Sequence, residues 1–203
     1  MVRSAVAVLI LACALTSCSS GAGGPEGADS PTTSKSPTPA APTELTLGDT
    51  ESVAWSPASD LTGELSISVE KVREGDFADF EGLTGSGITE DNQPFYVDAV
   101  IANEGDADFG RLDVPLYLQD STGTLSPPWG FAEPFEPCDS RPLPDSFGAG
   151  EEAELCLVFF GSPDATFQSV TYQPTQDAVA VTWTGDLTVE KTPVEKKPEP
   201  KRR

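Results

Sequence analysis

"FEPCDSRPLPDSFGAGEEAELCLVFF", Phe135 to Phe160, holds two of the four cysteines of the chain, Cys138 and Cys156, and ends in a run that is apolar on both faces. A short continuous apolar run bounded by turn residues reads as a strand packed on two sides, so "ELCLVFF" is predicted to be a central strand. The proline-rich approach before it, "EPFEPCDSRPLPDSF", reads as a loop.

Outward from this stretch the pattern is alternation. "ELSISVEKV" sets Leu65, Ile67 and Val69 on one face against Ser66, Ser68 and Glu70. "PFYVDAVIAN" follows a glycine-rich connection, and "RLDVPLYLQD" aligns Leu112, Val114, Leu116 and Leu118. "FQSVTYQP" and "AVAVTWTG" come next, the latter placing Trp183 with Val179 and Val181 in the core, and "DLTVE" is a possible last strand. "NEGD", "STGT", "GAGE" and "GSPD" supply turns between them. No stretch carries ten residues of helical periodicity free of Gly and Pro. About seven short strands in roughly 145 residues predict one all-β domain, an antiparallel β-sandwich, over residues 44–190.

The N-terminus leads us to expect this domain outside the cytoplasm. "MVRSAVAVLILACALTSC" has one cation, Arg3, and an apolar run from Ala5 to Leu15, the length of a secretory core segment rather than a bilayer span. Its end, Leu15-Thr16-Ser17-Cys18, resembles the lipobox of bacterial lipoprotein signal peptides. That resemblance implies a signal peptide over 1–17, cleavage before Cys18 and acylation of its thiol, with an ordinary secretory signal as the alternative. Such lipoproteins carry two or three acyl chains, enough for stable anchoring at the outer face of the membrane. Residues 18–43 follow as a Gly/Ser/Thr/Pro linker too poor in large apolar groups to fold, spanning about 25–30 Å as a coil. Residues 191–203 read as an unstructured basic tail.

An exported chain sits where disulfides persist. Cys13 leaves with the signal peptide and Cys18 carries lipid, so Cys138 and Cys156 remain as a pair. A thiol redox site prefers cysteines three apart, and these are eighteen apart. A zinc site would need two further ligands, and with no histidine in the chain only carboxylates could supply them. A disulfide needs nothing more, and closing an eighteen-residue loop is worth about 3 kcal/mol in the chain-entropy model.

The formal net charge is −21, and between Glu44 and Val189 there are 28 acidic residues against four basic ones, Lys71, Arg73, Arg111 and Arg141. Such a body argues against nucleic acid and anionic lipid as partners of the domain itself.

Five stretches then carry a family resemblance: "GDFADFEGL", "PFYVDAVIANEGDADFG", "VPLYLQDSTGTL", "EPCDSRPLPDSFGAGEEAELCLVFF" and "VTWTG", in this order over about Leu65 to Gly185. Together they resemble a family of lipid-anchored proteins of high-GC Gram-positive bacteria. That family is related to the secreted immunoglobulin-like domains that include the immunoprotective extracellular antigen of mycobacteria. The resemblance implies an immunoglobulin-like sandwich and a Cys138–Cys156 bridge, and no catalytic residues.

The function classes narrow accordingly. Without histidine there is no Ser-His-Asp or Cys-His arrangement, and the chain shows no phosphate-cradling glycine loop. A carboxylate-pair hydrolase is the remaining enzymatic route, but with so many acids a pair such as Glu133 and Glu136 arises from abundance alone. We therefore expect no enzyme and no cofactor. A weak calcium candidate lies in "NEGDADFGRLD", at Glu104, Asp106 and Asp108, and would make the domain a calcium-stabilised adhesion module. It departs from the EF-hand loop in having Phe109 and Pro115 where Gly and Glu belong, and turn-forming Asp and Asn explain the same residues. The default is a binding module for an envelope protein, a wall polymer or a host molecule. Its candidate patch is "SPPWGFAEPF", with Trp129, Phe131 and Phe135, whose rings could equally cover the open end of the core.

Overall fold

The alternation that begins at Leu65 becomes the inner face of a long strand, with Leu65, Ile67 and Val69 fully buried. The computed structural model describes residues 41–83 and 89–188, so the predicted signal peptide, Cys18, most of the 18–43 linker and the 191–203 tail lie outside it. Among the described residues there are nine strands: β1 (Thr43–Thr46), β2 (Thr50–Ala58), β3 (Leu61–Glu74), β4 (Asn92–Asn103), β5 (Leu116–Asp120), β6 (Leu125–Ser126), β7 (Glu152–Pro163), β8 (Phe167–Tyr172) and β9 (Val181–Thr184). A single 3-10 turn (Phe77–Phe80) follows β3.

The strands form two sheets, β2-β3-β4-β7 and β1-β9-β8-β5-β6. Pairing is antiparallel throughout except for the parallel pair β1–β9. The sheets pack face to face over one core, to which the first gives Leu65, Ile67, Val97 and Phe159 and the second gives Leu116, Leu118, Val170 and Trp183. The expected immunoglobulin-like β-sandwich is the observed fold. Two buried side chains tie β2 and its lead-in to the opposite sheet through the backbone: Trp183 donates its Nε1–H to the Asp49 carbonyl at 2.9 Å, and Tyr172 its hydroxyl to that of Ala54 at 3.0 Å.

Four details differ from the sequence reading. The strand count rises from about seven to nine, because β1, β2 and the two-residue β6 carry weak alternation. "DLTVE" is not a strand over its described part; Thr188 only donates its N–H to the Val72 carbonyl at 2.8 Å. Val179 is exposed and outside β9, so the buried alternation begins at Val181. The fourth difference matters most: "ELCLVFF" lies in β7, which is not central but an edge strand.

It is covered on both faces all the same. Ala153, Leu157 and Phe159 point into the main core, while Val158 and Phe160 lie in a second cluster on the outer face. An unpaired apolar edge invites association with other strands, and here the chain itself blocks it. Val158 donates its N–H to Ser140 Oγ at 3.1 Å and accepts from the Trp129 N–H at 2.7 Å. Farther along, Ser162 donates its N–H to Asp120 Oδ2 at 2.8 Å.

Candidate functional site

The segment that closes this edge, residues 127–142, runs as a strap across the outer face of the β3-β4-β7 sheet. Cys138 and Cys156 are joined, with an S–S distance of 2.01 Å, so the bridge fixes the strap to β7 itself. Its Phe135 and Cys138 are buried against Phe80, Tyr96, Val158 and Phe160 beneath it. The rings are close: Phe80 stacks on Phe135 with centroids 4.8 Å apart, Phe131 stacks on Phe135 at 4.8 Å, and Phe80 meets Phe160 at 5.0 Å. Gly75 leaves the room Tyr96 needs, since a Cβ there would come within 2.7 Å of the ring.

Polar groups lock the cluster from one side. The Tyr96 hydroxyl donates to Asp79 Oδ2 at 2.7 Å, and burial together with that carboxylate drives its pKa far above the usual phenol range. Arg73 lies with its guanidinium 5.2 Å from the centre of the Tyr96 ring, 3.7 Å from Asp98 Oδ1 and 3.8 Å from Cys156 Sγ. Lys71 completes the group by pairing with Asp98 at 3.0 Å.

The three aromatic residues singled out in the sequence are therefore divided. Phe135 is 6 % exposed and belongs to the cluster, and the half-buried Phe131 stacks on it. Trp129 is half-buried, packs edge-on against Phe160 at 5.3 Å, and also borders a surface groove. That groove, of about 410 Å³, opens at the seam between the two sheets, where β5 faces β7 beneath the strap. Leu116 and Leu157 line it from the two sheets, Trp129 and Tyr117 supply aromatic walls, and Pro115, Pro127, Pro128 and Pro142 supply rigid ones. Arg141, exposed and paired with Asp139 at 2.7 Å, stands at its rim. An apolar concavity of this size with a few polar groups at its margin is the ordinary form of a binding site. Tyr117 was missed in the sequence reading, although its place between the inward Leu116 and Leu118 already marks it as pointing outward.

The acidic candidates are engaged in holding the backbone. Asp108 Oδ1 accepts the N–H groups of Phe147 (2.8 Å) and Gly110 (2.9 Å), and these two bonds depress its pKa. Glu104 accepts the Ser52 hydroxyl at 2.9 Å, and Asp106 is exposed. The turn they share is organised by the buried Asn103, whose amide donates to the carbonyls of Ala107 and Phe147, both at 2.7 Å. Among the described residues no three acidic or cysteine side chains converge to hold a metal ion, so the structure does not gather Glu104, Asp106 and Asp108 into a calcium site. Two acids of "GDFADFEGL" are engaged in the same way: Asp76 caps the 3-10 turn and Asp79 accepts the Tyr96 hydroxyl.

Asp120 behaves in the same way. Burial alone would raise its pKa, but the Thr122 hydroxyl and the Ser162 N–H bonded to it hold the carboxyl well below its ordinary range. Asp49, bonded by the hydroxyl and N–H of Thr46, is also shifted downward. A general acid needs the opposite shift. The arrangement is suited to hold a ligand by shape and aromatic contact.

No family model and no curated protein matches the chain. Among solved structures it is similar to the secreted protein MPT63 of Mycobacterium tuberculosis, with a TM-score of 0.50 and 13 % identity over 72 % of this chain and 99 % of that one. It is also similar to YcdA, a candidate lipoprotein of Bacillus subtilis, with a TM-score of 0.43 and 14 % identity over 64 % of this chain and 37 % of that one. The chain thus shares the fold of a secreted mycobacterial protein along almost the whole length of that protein.

Proposed function

We propose that this chain is an exported, non-catalytic binding protein that stands on the outer face of the cell membrane and holds its partner in the seam groove. Acylated Cys18 is its anchor and residues 19–43 its spacer, as in the lipid-anchored immunoglobulin-like proteins of high-GC Gram-positive bacteria that the sequence resembles. The observation that carries this reading is the groove itself: Trp129, Tyr117 and four prolines stand open at a seam that a disulfide-fixed strap keeps in shape. Rigid walls lower the entropy cost of binding. The bridge also suits an oxidising compartment, which agrees with the export signal.

The test is photo-crosslinking on intact cells, with benzoyl-phenylalanine in place of the exposed Arg141 at the groove rim and, as control, in place of the exposed Thr62 on the other sheet. A discrete adduct from position 141 that is absent from position 62 supports the reading. No adduct, or the same products from both positions, contradicts it.

A further inference from the structure

Opposite the strap, the second sheet presents a face of different chemistry. Its inward residues are Val181 and Trp183 of β9, Val170 and Tyr172 of β8, and Leu116 and Leu118 of β5. The residues between them point outward: across β9, β8, β5 and β6, Thr182, Gln119 and Tyr117 are half-buried and Leu125 is exposed, while the small Ser169 and Thr171 are buried among these neighbours. None is charged, in a domain where 28 acidic residues meet four basic ones. The first acid along the row is Glu44 on β1, opposite Thr182. The equivalent face of the other sheet carries Lys71, Arg73, Asp98 and Glu154.

The uncharged groups are held in place by one another. The hydroxyls of Thr171 and Thr182 lie 3.2 Å apart, and Ser169 donates to the side-chain carbonyl of Gln119 at 3.3 Å. At the lower corner a cavity of about 360 Å³ is bordered by Tyr117, Leu125, Gln173, Thr175 and Gln176, with the Gln173 amide donating to the Gln176 carbonyl at 3.4 Å. The groups that remain open, the Thr182 and Thr175 hydroxyls and the Gln119, Gln173 and Gln176 amides beside the Tyr117 ring and the exposed Leu125, match a ligand with hydroxyls on its edges and C–H groups on its faces.

We infer that the outer face of β9-β8-β5-β6, with the cavity beside Tyr117, is a binding surface for an uncharged carbohydrate chain. It is a second surface, separate from the seam groove although Tyr117 borders both. A polyanion is repelled by the acidic remainder of the domain, and a polycation is drawn to the acidic faces instead. A neutral chain has neither bias, and it can lie on this face without stripping water from a carboxylate.

The test titrates the full-length protein in detergent micelles with gluco-, manno-, arabino- and galacto-oligosaccharides, and with anionic oligogalacturonate, by calorimetry. At least one neutral oligosaccharide binds, with little change between about 50 and 300 mM salt. Gln119→Glu and Thr182→Glu each weaken it about tenfold or more, whereas Thr62→Glu, an equal charge on the other sheet, leaves it within about twofold. Should the face variants fail to fold, chemical-shift mapping on the unaltered protein decides, with perturbations expected at Tyr117, Gln119 and Thr182. The inference is overturned if no neutral oligosaccharide binds, if oligogalacturonate binds tighter, if shifts are confined to Trp129 and Arg141, or if the face proves to be the contact of a dimer by sedimentation. Crosslinking from position 141 is independent of these results, so the groove reading can stand when this one fails.

Discussion

The outer face of the β3-β4-β7 sheet carries Tyr96, Val158 and Phe160 beside Arg73 and Asp98, and it is roofed by the strap. The outer face of the β8-β5-β9 sheet carries Ser169, Thr171, Gln119 and Thr182, and among the described residues no strap crosses it. Two sheets with equally apolar inner faces thus differ in what they point outward, and the cover follows that difference. Outward rings need a roof to leave water, and the roof here is held by a disulfide; the outward hydroxyls of Ser169 and Thr171 are satisfied by Gln119 and Thr182 beside them and need none. The cation positions follow the same division, with Lys71 and Arg73 both on the roofed side.

The contrast can be broken by substitution, and the largest effect belongs under the strap. Phe80 touches Phe135, Phe131, Phe160 and Tyr96, so Phe80→Ala should cost about 3–5 kcal/mol, read from denaturant unfolding. A loss below about 1 kcal/mol would mean that the strap cluster is loosely packed. Next comes the bridge: changing Cys138 and Cys156 together to alanine should lose about 3 kcal/mol and expose the ring cluster to a hydrophobic dye. An unchanged midpoint would show that the strap holds without it.

Asp120, which joins the β5–β6 turn to the end of β7, should rank third. Asp120→Asn weakens its bonds to Thr122 and Ser162 and should cost about 1–3 kcal/mol at neutral pH. Because the folded pKa lies below the unfolded one, this carboxylate stabilises the fold fully above the unfolded value of about 4, and the stabilisation fades as pH falls through the folded value. The difference in melting temperature between the two proteins should therefore be full at pH 6 and shrink in strong acid; a difference independent of pH would contradict the assignment. The smallest effect falls on the uncovered face, where Thr184→Ala, at an exposed site, should change stability by no more than about 0.5 kcal/mol.

Much of this division was legible in the sequence. The alternation of Leu65, Ile67 and Val69, and of Leu116 and Leu118, marks inner faces because strand side chains change sides at every residue. The doubly apolar "ELCLVFF" marks a strand covered twice, yet it cannot say whether a sheet neighbour or a loop provides the cover. Sheet order depends on contacts far apart in the chain, such as Trp129 with Val158, and periodicity holds no record of them. For the same reason β1 was missed: its partner β9 lies more than a hundred residues away, so its place rests on pairing and not on its own four residues. Within the aromatic segment, the sequence could not separate Trp129, which borders the groove, from Phe135, which is buried against Phe80 and Tyr96.

The strap and the groove it shapes rest on the Cys138–Cys156 bridge. The direct measurement is alkylation of the protein on intact cells without reductant, followed by mass spectrometry of the peptides bearing these residues. Both cysteines should be unmodified and should appear as one linked peptide pair. Free, alkylated thiols at Cys138 and Cys156 in the folded protein would contradict it.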